Sequence, residues 1–189
     1  MKAYLCMPRS EVGENAIRLT AVQPEQIEVI RQWRNAQMDV LRQSKAISPA
    51  EQEAYFAGTI WPDMEVLHPR QLLVSILEAG QLVGYGGLVH ISWVDLRAEV
   101  SFLLDPQFIS DDDRYRFLFT EYLRAIKLLA FRDLGFHRLF TETYAIRDLH
   151  VSILERSGFR LEGRLRNHVR VNERAVDSLL HGCLNDDER

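Results

Sequence analysis

With 189 residues, of which 47% are hydrophobic and 26% charged, the chain can bury one sizeable core, and its length fits a single domain. A net charge of -4 and a pI near 5.9 exclude the broad basic footprint of a general nucleic-acid binder. No apolar run approaches the ~20 residues that span a bilayer, and Cys6 and Cys183 lie at opposite ends without the paired spacing of a disulfide framework or a metal site.

Lys2 and Arg9 enclose no adequate apolar stretch, so no signal peptide is expected, and a reducing cytoplasm is the default compartment. Residues 1–14, ahead of the first expected strand, are set apart as a loosely attached N-terminal extension. Ala16 to Val22 is β-rich and apolar, which predicts a first strand. From Gln23 to Asn35, Ile27, Val29, Ile30 and Trp33 recur at helical spacing. A second helix opens at Ser48, where Ser48 caps, Pro49 suits the first helical position and Glu51 completes a capping box. Tyr55, Phe56 and Ile60 supply its apolar side.

Residues 71–104 change character. Leu72 to Leu77, Leu82 to Ile91 and Ala98 to Leu104 are three strand-like runs, separated by turns at Ala79-Gly80 and around Trp93 to Arg97, which predicts an antiparallel meander. A long helix follows from about Asp111 to Leu134, with Phe117, Tyr122, Ile126, Leu129 and Phe131 among its apolar positions and Gly135 as its stop. Arg138 to Ala145 is a fifth strand. The helix after it takes Asp148 as N-cap, turns Leu149, Ile153 and Leu154 inward, and ends at Gly158, with Phe159 folding back on Leu154 as a Schellman ending requires. Two strands, Arg160 to Val171 and Ala175 to Leu184, finish the chain around an Asn172-Glu173 turn.

This order resembles the GNAT superfamily of acyl-CoA-dependent N-acyltransferases over nearly the whole chain. The resemblance rests on Ala98-Glu99-Val100-Ser101-Phe102-Leu103-Leu104-Asp105, on Ala130 to Leu139, and on the helix, Gly158-Phe159 and strand sequence. Within the superfamily, Ile30 to Asn35, Ile47 to Phe56, and Glu162 to His168 with Asp177 resemble the branch of ribosomal-protein alanine and nucleotide-linked amino-sugar N-acetyltransferases. It implies an α/β fold in one acyltransferase domain over residues 1–189, a mixed, mostly antiparallel central sheet with helices on both faces. It also implies acetyl-CoA as donor, no metal, and a small-molecule amine as acceptor, first an amino-sugar nucleotide and second a protein N-terminus. No nucleic-acid or membrane partner is expected. Assembly stays open, a homodimer included.

One departure is plain. The family usually opens the long helix with a glycine-rich loop whose backbone N–H groups hold the CoA pyrophosphate. Here the position reads Asp111-Asp112-Asp113-Arg114-Tyr115-Arg116-Phe117 without glycine. The aspartates suit a helix N-terminal turn, whereas Arg114 and Arg116 are side-chain substitutes for phosphate capture, with Tyr115 and Phe117 beside them. Departure of this loop leaves open a binding protein that has lost donor use. Phe102, Leu103 and Leu104 are expected to pair by backbone with the pantetheine arm.

An amine must lose a proton during attack on a thioester, so the site needs a base. The resemblance points to Glu99, with His90 the alternate because imidazole titrates near working pH. Family members often place a tyrosine where this chain has Leu154, which leaves Tyr144 or Ser152 as proton donor to the thiolate. Trp33, Arg34, Asn35 and Arg42 fall on the segment that covers the acceptor in the resembling branch, although Trp33 alone suits a core. Gly84, Gly86 and Gly87 mark a bulge or a close ligand approach.

Overall fold

The computed structural model describes residues 1–188. Its elements are β1 (Glu11–Val12), β2 (Ile17–Ala21), α1 (Ile27–Ala36), α2 (Pro49–Tyr55), α3 (Trp61–Met64), β3 (Leu72–Glu78), β4 (Gln81–Ser92), β5 (Arg97–Leu104), α4 (Asp112–Lys127), β6 (Arg138–Tyr144), α5 (Asp148–Arg156), β7 (Arg160–Val171) and β8 (Arg174–Leu184). The two residues of β1 raise the expected fourth and fifth strands to β5 and β6.

The eight strands form one sheet in the order β1-β2-β3-β4-β5-β6-β8-β7. All neighbours are antiparallel except β5 and β6, which pair only where Arg97 to Glu99 meet Arg138 to Phe140. Beyond Glu99 the two strands part. Helices cover both faces, and Tyr85 and Gly86 demonstrate it, since successive strand residues point to opposite sides. The Tyr85 hydroxyl meets Arg34 of α1, whereas a Cβ on Gly86 would lie 2.7 Å from the hydroxyl of Tyr122 on α4.

Local chemistry sets the element ends. Ser48 accepts from the Glu51 N–H and the Glu51 carboxylate accepts from the Ser48 N–H, the expected capping box. At the end of α5, Phe159 N–H donates to Leu154 O at 3.1 Å and Gly158 N–H to Glu155 O at 3.2 Å. Those two bonds with Gly158 at φ 89° are a Schellman ending. Leu154 and Phe159 are buried there.

Four expectations are corrected. Arg147, not Asp148, occupies the N-cap of α5; Asp148 is its first helical residue and caps nothing with its side chain, leaving only its charge to act on the dipole. Phe117 is exposed because it falls on the outer face of α4, where the Arg114 guanidinium lies 5.6 Å from its ring. Tyr55 is likewise exposed, while Phe56 and Ile60 are buried as expected. Residues 1–14 are not loosely attached: Tyr4 is buried and its hydroxyl accepts from Leu73 N–H at 2.8 Å, and Val12 is buried in β1.

The glycines of β4 allow close approach of neighbouring strands and, at Gly86, of the Tyr122 hydroxyl. Gly87 N–H donates to the Tyr122 hydroxyl at 2.8 Å, and that hydroxyl donates to Ser101 O at 2.5 Å, so a tyrosine hydroxyl from α4 bridges β4 and β5. Further along, the β4–β5 register shifts between Val89 and Ser92, with His90 at φ 47°. A bulge of this kind re-aims a side chain.

Candidate active site

Where β5 and β6 part, a cleft of about 190 Å³ passes through the sheet. Glu99 and Phe102 line it from β5, Glu142 and Tyr144 from β6, Arg34 and Arg42 from the α1 side, and Phe119 and His150 from the α4–α5 side. A larger cavity of about 420 Å³ adjoins it between α1 and α2, sharing Arg34, Val89 and Ser101.

One end of the cleft is acidic. Glu99 is buried, and its carboxylate accepts from Arg42 Nη2 at 2.8 Å and lies 2.7 Å from His90 Nδ1. A carboxylate only accepts, so His90 donates from Nδ1. Sequence reasoning treats Glu99 and His90 as alternatives; the bulge at His90 joins them into one unit. Most of the imidazole is exposed, which leaves Nε2 at solvent. Arg42 also donates to Glu142 at 3.0 Å, so one guanidinium bridges carboxylates from the two parting strands.

The other end holds a cation. Arg147 Nη2 donates to the Tyr115 hydroxyl at 2.9 Å, and that oxygen lies 2.7 Å from His150 Nδ1. Since arginine only donates, the tyrosine oxygen accepts from Arg147, and its O–H points to an unprotonated Nδ1. Burial, with smaller contributions from Arg147 and His181, holds the His150 pKa well below its ordinary value, which keeps the ring neutral. His150 stacks on Phe119 at 4.1 Å, and Phe119 stacks on Phe102 at 4.3 Å. Among the described residues, neither Arg147 nor Arg34 has a carboxylate partner.

The remaining expected site residues divide. Phe102 lines the cleft, and past Glu99 its strand has no partner on the β6 side. Leu103 and Leu104 are buried, and Leu104 O already accepts from Gln37. Tyr144 lines the cleft, whereas Ser152 donates to Leu149 O within its own helix. Trp33 belongs to the core. Asn35 is consumed in bracing the following loop: its amide donates to Ile47 O, and its oxygen accepts from Ile47 N–H and Gln43. Arg34 and Arg42 do reach the cleft.

On the expected phosphate side, Arg114 donates through both terminal nitrogens to Glu78 of β3, one at 2.9 Å, and lies over the rings of Phe108 and Phe117. Its charge is therefore already matched. Arg116 is partly buried, and neither it, Arg114 nor Phe117 lines the cleft. Arg114→Ala is expected to change CoA affinity by less than about twofold in a calorimetric titration, because the guanidinium is paired with Glu78 and does not line the cleft. A tenfold weakening would return Arg114 to the phosphates.

Sequence reasoning missed Arg147, His150 and Glu142. A signal existed for Glu142 in the polar run Thr141 to Thr143 inside a strand, where Glu142 shares a face with Phe140 and Arg138. Arg147 and His150 were hidden by the ordinary appearance of a helix start. No group of three or more metal-ligating side chains occurs among the described residues. No described helix is long and apolar enough to cross a membrane.

The model of the acetyltransferase (GNAT) domain family matches residues 19–180. No curated protein matches the chain. Among solved structures, spermidine N-acetyltransferase from Vibrio cholerae in complex with CoA and spermine is similar at a TM-score of 0.78 and 19% identity, over 92% of this chain and 98% of that one. A ribosomal alpha-N-protein acetyltransferase in complex with coenzyme A gives 0.78 and 15% over 94% and 99%. A probable GNAT-family acetyltransferase from Chromobacterium violaceum gives 0.75 and 17% over 99% and 97%. At these identities the likeness is one of fold.

Proposed function

The chain belongs to the GNAT acetyltransferase family, and on that premise we propose that it moves an acetyl group from acetyl-CoA to a primary amine by direct attack. The observation that carries this reading is the buried Glu99 carboxylate, joined to His90, at the point where β5 and β6 part. The unpartnered edge of β5 beyond Glu99 suits the amides of a pantetheine arm, which would add to it as a strand does. That fit brings the thioester beside Glu99. An amine entering from the α1–α2 cavity attacks the acetyl carbonyl, its nitrogen lone pair forms the C–N bond, and the C–S bond breaks. Glu99 takes the amine proton, while the His90 Nδ1–H that donates to its carboxylate holds it in place, and the proton leaves to solvent as product departs. Backbone N–H groups of β5 are the proposed donors to the oxyanion.

For the acceptor we propose an amino-sugar nucleotide, with a protein N-terminus second. Arg34 supports the first, since it faces both cavities without a carboxylate partner among the described residues, and with Nε on Gln43 and Nη1 on the Tyr85 hydroxyl it has Nη2 to offer a phosphate. Tyr55, Gln71 and Tyr85 add hydroxyl and amide partners for a sugar. A polycationic acceptor fits less well, because the one carboxylate lining the α1–α2 cavity, Glu51, is paired with Lys45.

The test is a titration with acetyl-CoA followed by calorimetry and thermal unfolding. Saturation to about 100 times Kd is expected to stabilise the fold by about 2.7 kcal/mol by mass action. The absence of both heat and a thermal shift at millimolar donor would remove the reading. Turnover on an amino-sugar nucleotide, a polyamine and a peptide N-terminus then ranks the acceptors.

A further inference from the structure

We propose that Arg147, oriented by Tyr115 and His150, is the thiolate seat of this cleft, the group that receives negative charge on the departing CoA sulfur. The inference rests on the acetyl-transfer reading. It starts from the electrostatics of the cleft, whose Glu99–Glu142 end is held by Arg42 and whose opposite end presents Arg147 with no carboxylate partner among the described residues. Attack of an amine on a thioester separates charge in the same sense: positive charge grows on nitrogen and negative charge on sulfur. A guanidinium facing the sulfur lowers the energy of the second, and does so more strongly beside the stacked rings of Phe102, Phe119 and His150 than in open water.

Three features suit Arg147 to this. Leu154 is buried and apolar, so the helix α5 offers no hydroxyl from that position to the sulfur. The chain from Arg147 to Tyr115 to His150 fixes one terminal nitrogen of the guanidinium and leaves its other donors for a ligand. That chain is directional because His150 is neutral; a charged ring would turn its own proton toward the tyrosine and repel Arg147. Tyr115 is therefore a positioning residue, and Arg147 the group that would touch the sulfur. The step balances simply: the C–S bonding pair leaves on sulfur, the thiolate pairs with Arg147, and it takes a proton from solvent on release.

The test reads the sulfur itself. CoA is bound to the full chain and its thiol is titrated by thiolate ultraviolet absorbance. Free CoA titrated in the same buffer is the reference, and an adjacent guanidinium is expected to lower the bound value by about one unit or more. Arg147→Gln should restore the free value while CoA still binds, and Arg147→Lys should keep part of the shift because it keeps the charge. Tyr115→Phe should fall between wild type and Arg147→Gln. An unshifted thiol on wild-type protein that binds CoA overturns this inference and leaves acetyl transfer standing. Weaker CoA binding in Arg147→Gln with an unchanged thiol titration assigns the residue to the phosphates and also overturns it. Absence of CoA binding to the wild type removes the acetyl-transfer reading, and this one with it.

Discussion

Glu99→Gln is expected to lower the turnover number about 10²- to 10⁴-fold at neutral pH, the range a positioned base contributes, with CoA affinity changed less than about twofold. The amide keeps the size of the carboxylate and one oxygen for Arg42, so the loop carrying Arg42 stays anchored to β5. What disappears is the group that takes the amine proton. His90 survives but its Nδ1–H loses the carboxylate that accepts it. The defect should shrink as pH rises, because a growing share of the acceptor arrives deprotonated and needs no base. Turnover measured against pH for wild type and variant checks both statements. Wild-type turnover across the range would clear Glu99 of the role, and His90→Gln would be the next variant to measure.

The parts of this molecule that sequence reading reached are those settled within a few residues. Ser48 and Glu51 reveal a helix start because the capping box closes across three positions, and Leu154, Gly158 and Phe159 reveal a helix end for the same reason. The alternation along β2 and the apolar runs of β3 to β5 likewise carry their own period. Their order carried the family resemblance, and the resemblance put Glu99 beside the opening between strands.

The charges were not legible in this way. Arg42 and Glu99 are 57 residues apart, Arg114 and Glu78 are 36 apart, and Tyr115 and His150 are 35 apart. An arginine near an expected phosphate site looks the same in sequence whether a carboxylate from another strand has already claimed it or not. Arg114 has been claimed and Arg147 has not. Asn35 looked available for the same reason, since nothing local reveals that Ile47 and Gln43 use its whole amide. Residue type predicts what a side chain can do, whereas the tertiary partner decides whether it is free to do it.

Gly87→Ala is expected to cost about 3 to 5 kcal/mol of stability, through overpacking combined with an unfavourable backbone conformation. A Cβ there would lie 1.9 Å from Leu72 O, a backbone atom of the neighbouring strand, and Gly87 sits at φ 134°. Neither obstacle is relieved by rotating a side chain, so β3 and β4 must separate. Separation would also break the Gly87 N–H bond to the Tyr122 hydroxyl and free the contact to Ser101 O, leaving polar atoms unpaired beside the core. Gly80→Ala is the control, because Gly80 has a positive φ of 80° but nothing within 4 Å of its added Cβ. That variant should lose only about 1 to 2 kcal/mol, the conformational cost alone. Urea unfolding of the two variants measures the difference. Equal losses would mean that β4 has room at Gly87, and that the Tyr122 hydroxyl does not hold β4 against β5 beside the cleft.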